Sequence, residues 1–360
     1  RIREALEEFT PVSTLDDPAS PQHNAWQWLY LLDKTITFDT DDLVLAQRYA
    51  ALVLYYASQG SSSSSSSGSS STHHIILDGD DDDALQRDAH ECDWGLFDCV
   101  DIGTKRTIVE IQLSLVGIKE LPPEIGLLTS LETLDVSLLS LKSLPNTMGS
   151  LGSLKSLIAS RNSLTEIPVA IFELSSLEKL DLSSNAIGGT INEALGGLPK
   201  LKYLNLQRNI IGGKLPNSLN NLSNLEYLYL GYNDLTGLDP GTLPAQLREL
   251  GLRLNDFEFE LSRVMGELSS LEYFEARSNR IYGVIPPTIG ALSNLQVLYL
   301  SRNNIKGTVP ETIGNLSRLE ELWLFENKLT GGISPSMGMM TQLKSLVIHS
   351  NRLSGTYFVT

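Results

Sequence analysis

From residue 108 onward the apolar and polar positions follow one recurring order, L-x-x-L-x-L-x-x-N-x-L. Its first position falls at Ile108, Leu131, Leu154, Leu177, Leu201, Leu225, Leu247, Leu271, Leu295, Leu319 and Leu343, in steps of 22 to 24 residues. That makes ten full units and an incomplete eleventh. Within a unit, x-x-L-x-L alternates with period two and predicts a short strand with its leucines turned inward, Leu180 and Leu182 in the fourth. One unit cannot bury its own apolar edge, so stacked copies must share a continuous core and a parallel sheet. A column of asparagines (Asn162, Asn185, Asn209, Asn233, Asn255, Asn279, Asn303, Asn327 and Asn351) predicts a ladder of side-chain amides. Each would bond backbone groups that the turning coil leaves unpaired. Val116 and Leu139 hold that position in the first two units, so the ladder is expected to start in the third.

The N-terminal part has a different pattern. Ser20-Pro21-Gln22 opens a helical stretch through Trp26, Trp28, Leu29 and Leu32. Thr40-Asp41-Asp42 offers a cap and an acidic first turn to a second helix, with Val44, Ala46, Tyr49, Leu52 and Tyr56 spaced for one buried face. Residues 60–72 are Gly and Ser apart from Thr72, and read as a linker. The chain therefore divides into a helical segment 1–59, the linker 60–72, an acidic loop with a Cys-Trp-Cys stretch 73–106, and the repeats 107–360. The helical segment is expected to cover the first exposed repeat, since solenoid ends need caps.

This repeat is the leucine-rich repeat signature, and it covers about 250 of the 360 residues. The implied fold is an α/β repeat solenoid, a horseshoe or superhelix with a parallel concave sheet and a mainly helical N-terminal cap. The later units resemble the plant-type extracellular subclass with L-x-G-x-I-P, as in Ile281-Gly283-Ile285-Pro286 and Ile305-Gly307-Val309-Pro310; in Leu329-Gly331-Ile333 the proline, Pro335, is displaced by one. In that subclass Gly and Pro set a bend and a second short outer strand. Units one to three lack this Gly, so the curvature is expected to change near Leu177. The short sixth unit, with Gly237, Pro240, Gly241 and Pro244, should be irregular. Cys92-Asp-Trp94-Gly95-Leu-Phe97-Asp-Cys99 resembles the C-x-W-x-G-V-x-C end cap of the same subclass, with Gly95 one place early and Phe97 in place of Val. The resemblance implies a disulfide between Cys92 and Cys99 and an oxidising compartment; in a cytosolic chain the same pair would be free thiols. The order of Pro21-Gln22 helix, Gln47-Arg48-Tyr49-Ala50, Cys-x-Trp and repeats is similar to algal leucine-rich-repeat surface and secreted proteins and to receptor-like-kinase ectodomains. Such a resemblance implies a secreted or cell-surface location. The eleventh unit is incomplete at Thr360, which leaves room for further repeats, a membrane anchor or another domain.

Charge narrows the function. The total is −16, but residues 1–106 hold 19 acids and 7 bases, a net −12, and the repeats hold 24 acids and 20 bases, a net −4. This argues against nucleic acid, whose binders concentrate Lys and Arg, while leaving acidic peptides and anionic sugars open for the repeats. No apolar run reaches 18 residues, so no membrane span is expected within the chain. His73, His74, Asp78, Asp80, Asp81, Asp82, Asp83, His90 and Cys92 are metal-like in composition only: they lack calcium-loop spacing and ordered zinc ligands, and read as a solvated acidic loop. No P-loop, G-x-S-x-G or kinase motif is present, so neither a cofactor nor catalysis is expected.

What remains is surface. In L-x-x-L-x-L-x-x-N the second, third, fifth, seventh and eighth positions face the open side of the sheet. Units five to ten place Tyr203, Tyr227, Tyr229, Tyr232, Tyr273, Tyr299, Trp323 and Phe325 there, with Arg208, Arg253, Arg277 and Arg302. They also place Glu272, Glu275, Glu320, Glu321 and Glu326 there, whereas units one to four offer no aromatic residue. Tyr, Trp and Arg are enriched at binding hot spots, although β propensity alone also favours Tyr in strands. Five strand steps of about 4.8 Å span about 25 Å, room for about seven extended peptide residues. The expected function is recognition of a peptide, protein or glycan by this face. The alternative is a structural subunit held in a larger assembly. Asn221-Leu-Ser223 and Asn315-Leu-Ser317 are sequons for glycosylation.

Overall fold

A computed structural model describes residue 7 and residues 10–31, 42–59, 92, 97–102, 105–114 and 118–355. The linker 60–72, the acidic loop with its metal-like residues 73–90, Trp94, Thr40, Asp41 and Val116 lie outside the described residues. The chain forms two compact units, Arg1–Leu177 and Glu178–Thr360.

The first unit begins with helices α1 (Val12–Leu15), α2 (Pro21–Leu31) and α3 (Asp42–Gln59). Ser20 caps α2, its Oγ accepting from the His23 amide at 3.0 Å, with Pro21 at the first helical position where its missing N–H costs nothing. The spacing of α3 predicts one buried face. The structure instead buries every residue from Leu45 to Tyr55, so the helix is enclosed rather than amphipathic. Strands β1 (Phe97–Ile102) and β2 (Lys105–Gln112) pair antiparallel, and β2, β3 (Thr133–Asp135) and β4 (Ser156–Ile158) continue in parallel. Cys92 and Cys99 are joined by a disulfide, with Cα atoms 5.8 Å apart.

Side chains seat the helical cap on the first repeat. Gln47 offers its amide to the backbone of β2: Oε1 accepts from the Ile108 amide at 3.1 Å and Nε2 donates to the Arg106 carbonyl at 3.3 Å. It thus satisfies backbone groups that a neighbouring strand would otherwise bond. Glu124, also buried, accepts from Thr10 Oγ1 at 2.6 Å and from Gln22 Nε2 at 3.2 Å. With its proton committed to Glu124, Thr10 accepts in turn from the Tyr49 hydroxyl at 3.0 Å. Burial pushes the Tyr49 phenol well above its ordinary range.

The second unit is an α/β repeat solenoid. Its main sheet runs β5 (Lys179–Asp181), β6 (Tyr203–Asn205), β8 (Tyr227–Tyr229), β10 (Glu249–Gly251), β11 (Tyr273–Glu275), β13 (Val297–Tyr299), β15 (Glu321–Trp323) and β17 (Ser345–Val347), with parallel neighbours throughout. The middle residue of each of these strands from β5 to β15 points into the core, and Leu204, Leu228, Leu250, Phe274, Leu298 and Leu322 are fully buried, whereas Leu346 of β17 is 39% exposed. A flank carries outer strands β7 (Gly212–Lys214) with β9 (Asp234–Gly237), and β12 (Tyr282–Val284), β14 (Asn304–Gly307), β16 (Lys328–Gly331) and β18 (Arg352–Leu353). These are the outer strands that L-x-G-x-I-P implies. Gly283 and Gly307 sit at φ +92° and +78°, in the left-handed region that a side chain disfavours. The return leg of most repeats is a 3₁₀ turn, entered through a proline at Pro216, Pro286 and Pro310. Where Pro335 is displaced, Ser334 takes the cap and accepts from the Ser336 amide. After the sixth repeat the irregularity reaches further than Gly237–Pro244: the seventh uses a short helix α4 (Leu261–Val264) beside the flank.

The asparagine ladder ties successive coils. Asn233 Oδ1 accepts from the Ile211 amide at 3.0 Å, while Nδ2 donates to the Leu206 carbonyl at 2.9 Å and the Leu230 carbonyl at 3.0 Å. Asn209, Asn255, Asn303 and Asn327 are buried with the same partners one repeat along. In the first unit Asn162 reaches back to the Leu139 and Leu141 amides, so the ladder does begin in the third repeat. The residue before each ladder asparagine is left-handed, from Arg161 (φ 54°) to Ser350 (φ 55°). That conformation costs on the order of 1 kcal/mol for a residue with a Cβ, and the asparagine bonds on either side hold it in place.

Candidate functional site

Parallel register turns the repeat positions into rows across the main sheet of the second unit. One row runs Tyr203, Tyr227, Glu249, Tyr273, Val297, Glu321 and Ser345; the next runs Asn205, Tyr229, Gly251, Glu275, Tyr299, Trp323 and Val347. The leucines between them fill the core, so both rows must emerge on the open face. The turn after the strand adds Arg253, Arg277 and Phe325 from one position, and Arg208, Tyr232 and Arg302 from the left-handed position beside it. All twelve aromatic and arginine residues read from the sequence are partly or fully exposed, and none belongs to the core.

They form two clusters. In the first, the Tyr203 ring lies 6.2 Å from Tyr227 and 5.6 Å from Tyr229, with the Lys179 ammonium 5.4 Å above it. Tyr229 donates to Glu249, and Arg248 holds Glu272 at 2.8 Å. The Arg208 and Arg253 guanidiniums each lie 4.5 Å from the Tyr232 ring centre, and Arg253 also bonds the Tyr232 hydroxyl. In the second cluster Tyr299 stacks on Trp323 at 4.2 Å, and Arg277 lies 5.0 Å and 5.1 Å from the two rings. Glu275, nearly buried, accepts from Arg277 Nε at 2.8 Å and the Tyr273 hydroxyl at 3.0 Å. Phe325 stacks on His349 at 5.0 Å, with Arg302 5.7 Å away. These contacts fix rotamers of large side chains before any ligand arrives, which lowers the entropy a bound partner must offset.

Gly251 leaves a gap between the clusters, spanned by Arg253 of the first, which pairs with Glu275 of the second at 3.6 Å. A Cβ there would come within 3.1 Å of Tyr229 Cδ1, so the missing side chain is the space into which Tyr229 leans. Gly231 gives Arg253 the same room, with a contact of 3.1 Å to Arg253 Cγ. Arg253, Arg277, Arg302 and Phe325 line a shallow cavity of about 170 Å³ together with Leu254 and Ser278. Ser301, at the same repeat position as Arg277 and Phe325, is fully buried, and its Oγ has no hydrogen-bond partner.

Burial, followed by the hydrogen bond to Glu249, pushes the Tyr229 phenol far above its ordinary range. Burial and the Glu321 contact do the same for Tyr299, and burial and the Glu275 charge for Tyr273. These phenols are neutral donors at physiological pH. Among the described residues no group of three His, Cys, Asp or Glu side chains is placed to hold a metal ion, and no helix is long and apolar enough to cross a membrane.

The sequence columns missed Lys179, Arg248, Glu249, Gly251 and His349, which complete the two clusters. Lys179, Arg248, Glu249 and His349 stand at second, third and seventh positions of the same columns, Lys179 and His349 in units four and eleven, whereas Gly251 carries no side chain to signal its role. Asn221 and Asn315 are exposed at the ends of 3₁₀ turns, away from the strands.

A sequence model described as a leucine-rich repeat region matches residues 110–255 and 242–357. No curated protein matches the chain. Among solved structures the chain is similar to a plant peptide hormone receptor, RGFR1 in complex with RGF2 (30% identity, TM-score 0.64, 68% of this chain and 40% of that one). It is similar to the ectodomain of the Arabidopsis thaliana receptor kinase GASSHO1/SCHENGEN3 in complex with CASPARIAN STRIP INTEGRITY FACTOR 2 (30% identity, TM-score 0.61, 68% and 33%). It is also similar to a leucine-rich repeat protein of Leptospira interrogans (34% identity, TM-score 0.61, 68% and 62%). The chain thus spans well under half the length of the two plant receptors.

Proposed function

The chain belongs to the leucine-rich repeat family, in its plant-type extracellular subclass, and from that premise we propose that it is a non-enzymatic recognition module for an extended peptide or protein segment. The segment would lie along the open sheet face of repeats five to ten. One observation carries the reading: Tyr203, Tyr227, Tyr229, Tyr232, Tyr273, Tyr299, Trp323 and Phe325, with four arginines, share one face, and none serves the core. Folding alone would be served as well by Ser or Thr at these positions. Their rings are held by one another and by guanidiniums, leaving edges, hydroxyls and the arginine-lined cavity to meet a partner.

Two of the similar structures support a peptide as the occupant, since one is a plant peptide hormone receptor in complex with RGF2 and the other a plant receptor kinase ectodomain in complex with CASPARIAN STRIP INTEGRITY FACTOR 2. The open face suits a strand-like segment better than an enclosed cofactor. A secreted or surface location is part of the proposal, supported by the Cys92–Cys99 disulfide and by the exposed sequons at Asn221 and Asn315. Selection from a display library of linear peptides tests the reading. Peptides should be enriched on the wild-type chain and lost when Tyr229→Ala and Tyr299→Ala are combined. Enrichment that survives the double substitution would sink it.

A further inference from the structure

The flank of the second unit carries a second feature, independent of the open sheet face. Its outer strands alternate buried and exposed residues, so one row of side chains faces outward. Segment 256–260 bridges β9 and β12 through backbone bonds, Glu258 amide to the Thr236 carbonyl at 2.9 Å and Tyr282 amide to the Phe259 carbonyl at 3.1 Å. The flank is therefore continuous from the sixth repeat to the eleventh.

Charge is sorted along it. The residue after the ladder asparagine is Asp234 and Asp256 in repeats six and seven, Arg280 in eight, and Lys328 and Arg352 in ten and eleven. Two residues on, Glu258 in the seventh faces the same way as Lys306 in the ninth. The eighth repeat, at the boundary, exposes Tyr282 (44%) and Val284 (39%). Asp256 and Arg280 neutralise each other at 2.7 Å. Among the described residues Asp234, Glu258, Lys306, Lys328 and Arg352 form no ion pair, whereas most charges on the open face are paired. Placing unpaired acids on one half of a face and unpaired bases on the other gains nothing for the isolated chain.

We propose that this flank is a self-association surface whose occupant is a second copy of the same chain. A two-fold axis lying along β12 between two such faces reverses the order of repeats and keeps each residue's height along the strand. Tyr282 then meets Tyr282 of the second copy at the centre. Glu258 meets Lys306 of the second copy, three residues past their ladder asparagines, and Asp234 meets its Lys328, one residue past. Each contact occurs twice. Five strands at about 4.8 Å span about 19 Å, and three residues of strand about 10 Å. This footprint is well below the roughly 800 Å² per partner of a stable interface, so the dimer is weak, reversible and salt-sensitive.

Sedimentation velocity of the 360-residue chain, over a range of protein and salt concentrations, tests this. The wild type should dimerise as concentration rises, and salt should suppress it. Glu258→Lys and Lys306→Glu should each lower the association constant by about tenfold or more, because attraction becomes repulsion at two symmetric contacts. An equimolar mixture of those two variants should associate again, since the mixed pair sets Lys against Glu at both contacts. A wild type that stays monomeric at low salt would overturn the proposal and leave the face to a different partner. Single variants that dimerise like the wild type would overturn it too, as would a mixture no better than its components. Neither substitution touches the open sheet face, so peptide capture by these variants reports on the recognition reading separately.

Discussion

The Tyr299 ring lies 4.2 Å from the Trp323 indole with the planes 27° apart, and the Arg277 guanidinium covers both. The stack rests on strands whose inward residues, Leu298 and Leu322, are fully buried. Fold and surface are therefore separable here. Trp323→Ala should cost no more than about 2 kcal/mol of stability, as expected for a partly exposed ring outside the core. It should weaken capture of a selected peptide by about tenfold or more, as for a central hot-spot residue. Thermal melting and peptide titration on the same preparation check the two halves.

The raised phenols predict an alkaline weakness. Tyr229, Tyr273 and Tyr299 ionise near pH 10 when unfolded but only well above it when folded. Between those limits the folded chain holds protons that the unfolded chain releases. The stabilisation is thus fully present below pH 10 and is lost as pH rises further. Tyrosinate absorbance should show a late-titrating fraction, and Tyr229→Phe with Tyr299→Phe should shrink it.

Asn233→Ala removes a buried acceptor for the Ile211 amide and a donor for two carbonyls. Leaving these backbone groups unpaired should cost about 2–4 kcal/mol. Arg302→Ala, which removes an exposed pair with Glu326 and a guanidinium 5.7 Å from the Phe325 ring, should cost about 1 kcal/mol. Denaturant unfolding of the two variants side by side makes the comparison.

The repeat made the fold legible because one pattern specifies strand, inward leucine and ladder amide at once. Asn233 could be assigned its role from its column alone. The cap was less legible: α3 shows a helical period, but its burial on every side depends on docking partners that no local pattern encodes. Gln47 illustrates this, since nothing around it announces that its amide will stand in for a strand. On the open face the aromatic and arginine columns were readable, yet their division into two clusters was not. That division comes from Gly251, an absence of side chain whose meaning appears only when Tyr229 is seen leaning into it.

Gln47→Ala should expose this docking. The Ile108 amide loses its 3.1 Å acceptor and the Arg106 carbonyl its donor. Hydrogen exchange at Ile108 should quicken, while exchange at Leu230 and Leu252, bonded within the second unit, stays unchanged. Equal acceleration at all three would show that the cap does not act locally.

The most direct measurement is the affinity of one library-selected peptide for three forms of the chain: wild type, the Tyr229→Ala and Tyr299→Ala double variant, and Glu258→Lys on the flank. If the open face of repeats five to ten is the binding surface, the double variant should lose about a hundredfold or more in affinity, with Glu258→Lys indistinguishable from wild type. Equal affinity for the wild type and the double variant, with the fold intact by circular dichroism, would contradict it.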